Sequence, residues 1–153
     1  MKINTSRFGE LDLDESSTFT FIEPILGYEH LSKFFIVDHM PDSPFKWLQS
    51  CEDGKIAFPI TAPGNFGLDY QFVIPESDTK KLEISSSENV LTVNIVCIPQ
   101  GAPEASTINL LGPIIFNLVN KKAIQLVLAN SNFSAKQRLF SNTEVKQVDT
   151  VNR

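Results

Sequence analysis

Apolar residues in this chain recur with period two far more often than with the 3.6-residue period of a helix. Phe66, Leu68, Tyr70, Phe72 and Ile74 alternate with Gly67, Asp69, Gln71 and Val73 until Pro75 ends the run. Ile56, Phe58 and Ile60 alternate with Ala57 and Pro59. Phe45, Trp47, Gln49 and Cys51 share one face, opposite Lys46, Leu48 and Ser50. Leu91, Val93, Ile95 and Cys97 face away from Thr92, Asn94 and Val96, and Ile124, Leu126 and Leu128 alternate with Gln125 and Val127. Each run is short and bounded by Gly, Pro, Asn or Asp, as strands are. Helical signal is confined to two short turns. One would follow Gly27, over Tyr28 to Lys33; the other would follow Pro75, with Ser77 as its N-cap and Thr79 to Leu82 in the turn. Many short strands with few helices predict an all-β, antiparallel, barrel-like single domain with one or two short helices.

The stretch INLLGPIIFNLV, Ile108 to Val119, is the most informative part of this pattern. Ile108, Leu110, Ile114, Phe116 and Leu118 are all even-numbered, with Gly112 in the missing place. That parity predicts one long strand bent at the Gly-Pro step, because glycine permits a sharp bend. Proline has no N–H to donate, so Pro113 belongs on an edge or at a bulge. The odd face reads Asn109, Leu111, Pro113, Ile115, Asn117 and Val119. Two readings of it stay open. A loop or short helix covers it, or Leu111 and Ile115 form a partly exposed docking patch framed by two amides.

Length and composition narrow the class. At 153 residues one domain is expected. Twelve phenylalanines against two tyrosines point to an aromatic-rich core. The segment from about Ser141 to Arg153 is polar, with Val145, Val148 and Val151 three residues apart, and reads as a frayed tail. The net charge of −5 excludes the basic footprint of a free-standing nucleic-acid binder. It also suits a basic partner, since unlike potentials steer association. No apolar run approaches the roughly 20 residues of a membrane span. Cys51 and Cys97 match no metal or redox spacing, and MKINTSRFGE has no apolar leader region. A reducing cytoplasm is the expected setting.

The chemistry is sparse. His30 and His39 have no zinc-ligand spacing, and no nucleophile elbow, dinucleotide fingerprint or P-loop is present. No metal or cofactor is expected. The acid cluster of GELDLDES, Glu10 to Ser16 after Gly9, would set Asp12 and Asp14 on one strand face, but a solvated hairpin end explains it better than paired acid–base work. The pattern favours a binding module over an enzyme.

Several segments, in order, resemble one family: TSRFGE, EPILGYEHLSKF, PFKWLQS, DYQFVIP, VLTVNIVCIP, INLLGPIIFN and QLVLANSNFS. Together they are similar to the bacterial flagellar assembly factor FliW over roughly residues 1 to 140. The family tends to have Leu-Pro-Gly-Phe where this chain has Ile25, Leu26, Gly27 and Tyr28. The resemblance implies a non-enzymatic barrel-like protein with two partners. One is flagellin, held before export. The other is CsrA, a small basic RNA-binding dimer that represses flagellin translation. The FliW-like protein antagonises CsrA when flagellin does not occupy it.

Candidate residues follow from this. An acidic contact with CsrA would use Asp12, Asp14, Glu15, Asp69 and Glu76, and must lie close, because repulsion of RNA fades beyond about 8 Å at physiological salt. An amphipathic flagellin segment needs exposed apolar anchors, for which Asn109, Leu111, Ile115 and Asn117 are the first candidates and Phe45 with Trp47 the second. A monomer is expected. The competing readings are a small-ligand-binding barrel or hydrolase, which needs a cavity with converging polar groups, and a structural subunit, which needs a large self-complementary apolar face.

Overall fold

Eleven strands and one α-helix, with four short 3-10 turns between them, are present in the computed structural model, which describes residues 1–140. The polar tail lies outside the described residues. In chain order the elements are β1 (Lys2–Thr5), β2 (Gly9–Asp12), β3 (Phe19–Glu23), β4 (Lys33–Val37), β5 (Lys46–Ser50), β6 (Ala57–Thr61), α1 (Glu76–Lys81), β7 (Val90–Cys97), β8 (Thr107–Ile108), β9 (Ile114–Asn117), β10 (Lys122–Gln125) and β11 (Gln137–Arg138). β1 and β2 form a separate hairpin. The sheet runs β7-β6-β5-β4-β3-β10-β9, and β9 pairs again with β7, closing a seven-stranded barrel. Closure leaves no open edge in that ring. The all-β barrel read from the pattern is therefore correct, with one refinement: β10 runs parallel to β3, while the other pairings are antiparallel.

All seven barrel strands send side chains to one cluster: Phe19 and Phe21, Phe34, Leu48, Ile60, Val93, Ile114 and Phe116, and Ala123. The lumen is thus filled by packing and is no channel, as expected of small barrels. Its aromatic rings meet edge-on, Phe19 and Phe116 at 4.6 Å and Phe21 and Phe34 at 5.1 Å between centroids. Because side chains alternate across a strand, the neighbours of these residues point outward and are covered separately. Ile115 and Ile124 lie in a second cluster with Leu82, Phe72 and Ile74. Val96, Ile108 and Leu110 lie in a third with Leu139, Phe66, Leu68 and Tyr70.

The run from Leu68 to Ile74 is not a strand. Its even residues are half-buried and its odd residues exposed, as the pattern requires, yet Asp69 to Ile74 make no backbone–backbone hydrogen bond among the described residues. It is an extended strap laid over the second and third clusters. Tyr70 fastens it by donating its hydroxyl to the Leu110 carbonyl at 2.6 Å, and Asn94 donates to that hydroxyl at 3.3 Å. The strap feeds α1, whose six residues match the turn expected after Pro75. Its cap is Pro75 and not Ser77, and no side chain caps it. The turn expected over Tyr28 to Lys33 is not helical, because β4 already begins at Lys33.

The Gly-Pro stretch is also two strands. Val96 faces Ile108 and Val93 faces Ile114, so six residues on this side span three on β7. Three extra residues must bulge out between β8 and β9. An odd insertion inverts the side-chain faces. Ile108 therefore points outward with Val96, while Ile114 points into the lumen with Val93. The unbroken even parity does not mark one continuous face. Pro113 does sit at the bulge, where its missing donor costs nothing and its carbonyl accepts the Leu126 N–H at 2.8 Å.

Candidate functional site

The bulge and the loop after β3 stand beside each other as two walls. In the loop, the Tyr28 N–H donates to the Ile25 carbonyl at 2.8 Å, and Gly27 takes φ +91°, a left-handed conformation that favours glycine. Ile25 is drawn into the lumen cluster and Leu26 is turned outward, leaving it 73 % exposed. In the bulge, Asn109 Oδ1 accepts the N–H groups of Leu111 and Gly112, both at 3.0 Å, which turns the chain. Asn94 holds the bulge from below by donating to the Asn109 carbonyl at 2.8 Å. Gln125 joins the walls. Its Oε1 accepts the Leu26 N–H at 2.8 Å, and its Nε2 donates to the Gly112 carbonyl at 3.1 Å. Gly112 leaves room for that amide, since a Cβ there would lie 2.8 Å from Gln125 Nε2.

Between the walls runs a groove of about 290 Å³. Tyr28, Phe58, Ile95 and Leu111 line it, and the Tyr28 and Phe58 rings meet edge-on at 4.9 Å. Leu26 and Val127, the latter 58 % exposed, add apolar surface to it, and its polar side chains are the amides of Asn109 and Gln125 with the Tyr28 phenol. No carboxylate, histidine, cysteine or lysine lines it. Such a surface can take apolar side chains and fix a neighbouring backbone through amides. The perturbed titratable groups lie elsewhere. Burial, then the Glu52 charge, pushes the Cys51 thiol up to about 11. Burial raises Tyr70 in the strap. Glu52 is raised by desolvation but brought lower on balance by the Lys33 and Ser32 N–H groups that its carboxylate accepts.

The docking patch expected from the sequence divides here. Asn109 and Leu111 are in the groove. Ile115 is not: it is fully buried in the second cluster with Leu82, which follows α1, and with Phe72 and Ile74 of the strap. Asn117 is 4 % exposed, and its amide donates to the Leu82 carbonyl at 2.8 Å while its Oδ1 accepts the Val119 N–H at 2.8 Å. Both are structural, because the bulge inverts the faces and α1 arrives from far earlier in the chain. Of the second patch, Phe45 packs against Phe66 at 5.4 Å, and Trp47 lies half-buried under Arg7. The acidic candidates also separate. Asp12 ends β2 beside the N-terminal ammonium, and Asp14 caps the next turn by accepting the Ser16 N–H, which lowers its carboxyl below the usual range. The two do not share a strand face, because β2 stops at Asp12. Glu15 is exposed in that turn, whereas Asp69 sits on the strap and Glu76 begins α1. His30 and His39 are exposed.

The sequence missed Leu26, Tyr28, Phe58, Ile95, Gln125 and Val127 as groove residues. One signal was present: Val127 is apolar on the polar face of its run, as Leu111 is on the odd face of its own.

Comparison with known proteins gives a consistent picture. The family model described as FliW protein matches residues 2–139. A flagellar assembly factor FliW from Pseudothermotoga lettingae is 36 % identical over 145 residues, 95 % of this chain and 92 % of the relative. One from Caldicellulosiruptor bescii is 41 % identical over 135 residues, 88 % of each chain. A crystal structure of the flagellar assembly factor FliW superposes with a TM-score of 0.86 at 25 % identity, covering 93 % of this chain and 99 % of that one.

Proposed function

The chain belongs to the FliW family, and from that premise we propose that it is a non-enzymatic cytoplasmic regulator that captures flagellin in the groove between the Leu26 loop and the bulge. When flagellin is absent it antagonises CsrA. The observation that carries the first half is the exposure of Leu26 and Val127 beside a mostly apolar groove whose lining, among the described residues, carries no charged side chain. Fully burying a side chain of that size contributes about 1.5–3 kcal/mol, so an amphipathic helix that covers Leu26, Leu111 and Val127 gains from each. Asn109 and Gln125 supply the polar rim that orients it. The groove is at the small end of ligand-site volumes, which suits a few inserted side chains.

The contact with CsrA is assigned to the hairpin end, where Asp12, Asp14 and Glu15 are exposed within a few residues of one another. Asp69 and Glu76 belong to the strap and α1, a separate region, and would extend this contact only for a partner large enough to span both. A basic dimer docked on acidic residues brings their field close to its RNA, within the distance that salt leaves unscreened.

Two measurements test the halves independently. Leu111→Lys should weaken binding of purified monomeric flagellin by roughly a hundredfold, the loss of about two apolar contacts, with an unchanged circular dichroism spectrum. Unchanged affinity would remove the groove from the account. Charge reversal of Asp12 and Asp14 should weaken CsrA binding in low salt and leave flagellin binding intact. Equal CsrA affinity in low salt would remove the hairpin end.

A further inference from the structure

The turn of the β1–β2 hairpin holds Arg7 and Phe8 in a fixed arrangement. Thr5 is buried, accepts the Phe8 N–H at 2.8 Å and donates its hydroxyl to the Gly9 carbonyl at 2.8 Å. The Ser6 N–H donates to the Gly54 carbonyl at 3.0 Å, which ties the turn to the barrel. That approach needs a glycine, because a Cβ at Gly54 would collide with the Asn4 carbonyl. The Arg7 guanidinium consequently lies 4.0 Å from the Trp47 ring centroid, in cation–π range. Phe8 packs between Trp47 at 6.0 Å and His39 at 5.2 Å. Beside Arg7 is a notch of about 380 Å³ lined by Ser6, Gly54, Lys55 and Ala57. Arg7 and Lys55 are exposed, and among the described residues no carboxylate pairs with either. The nearby Asp53 carboxylate accepts the Lys55 backbone N–H at 3.0 Å.

Two unpaired cations flank one notch on a chain whose net charge is −5. This is a local reversal of sign, placed on an aromatic ledge. We propose that the notch and the Arg7–Phe8–Trp47 ledge form a second docking surface, for a partner segment that carries a carboxylate beside an apolar side chain. The carboxylate takes the guanidinium of Arg7 and the ammonium of Lys55, and the apolar neighbour lies along Phe8 and Trp47. Arginine stacked on an aromatic ring is already ordered, so little side-chain entropy is lost when it binds. The surface selects the opposite charge from the acidic hairpin end, so it does not duplicate the proposed CsrA contact. It shares no lining residue with the groove.

Trp47 is the only tryptophan in the chain and reports directly on this surface. The probe is a blocked peptide of sequence Glu-Phe-Asp-Leu, with Lys-Phe-Lys-Leu as the control. The acidic peptide should change Trp47 emission with a Kd of about 1 mM or tighter, and the basic one should not. Arg7→Gln should weaken the effect roughly fivefold or more, as loss of a charged contact does. About 1 M salt should weaken it as well. Amide shifts at Gly54 and Lys55 in a nitrogen-15 spectrum provide a second readout that does not depend on emission. Equal response to both peptides, or an unchanged response in Arg7→Gln, would overturn the proposal. So would no response in either readout; if Arg7→Gln then still lowers Tm, the arginine is a hairpin staple only.

Discussion

Asn109–Pro113 and Ile114–Asn117 are consecutive, similarly apolar, and opposite in role. The first keeps a single backbone bond to β7, from the Asn109 N–H to the Ile95 carbonyl, and leaves Asn109 and Leu111 in a groove. The second pairs with β7 on one side and β10 on the other, and its three apolar residues are fully buried. Bonding on both edges fixes the strand, so both of its faces must be covered: the lumen takes Ile114 and Phe116, and Leu82 with the strap takes Ile115. Where the ladder is interrupted, the chain is held by side-chain amides and scattered backbone bonds, and apolar residues can remain on the surface. The barrel is the scaffold, and the bulge builds one wall of the groove.

This contrast can be broken at several points. Ile115→Lys should have the largest effect, destabilising the protein by about 4 kcal/mol or more, because it places a charge in a dry cluster. Chemical denaturation measures it, and a stable Ile115→Lys protein would mean that Leu82 and the strap do not cover this face. Asn117→Ala should cost about 1–3 kcal/mol, since the Val119 N–H loses its partner and the Leu82 carbonyl keeps only the Asn120 amide. Gln125→Ala should cost less, about 1–1.5 kcal/mol. Its more diagnostic effect is faster hydrogen exchange at the Leu26 and Gly112 amides, because the two walls are no longer joined. Leu111→Lys should change stability by no more than about 0.5 kcal/mol, although it lies only four residues from Ile115.

Much of the scaffold was legible. The alternation from Leu91 to Cys97 gives the true inner and outer faces of β7, and Ile56 to Ile60 gives β6. Pro113 at a bulge follows from its missing donor. Other features were hidden for identifiable reasons. Alternation records which face is buried, not which backbone is bonded, so the strap around Tyr70 reads as a strand. Parity through Gly112 survives a three-residue bulge by coincidence, and so disguises the inversion that buries Ile115. The parallel pairing of β3 with β10 joins segments about a hundred residues apart and has no local signature. The groove draws on the Ile25–Tyr28 loop, the bulge and Gln125, which meet only through closure of the barrel.

The central claim is that the groove between the Leu26 loop and the bulge is where flagellin is held. Hydrogen exchange of the full chain, with and without saturating monomeric flagellin, tests it most directly. The account predicts slowed exchange at Leu26, Gly27, Leu111, Gly112 and Val127, with the β1–β2 hairpin and the strap unchanged. Protection confined to the hairpin or the strap, with the groove amides exchanging as in the free protein, would contradict it.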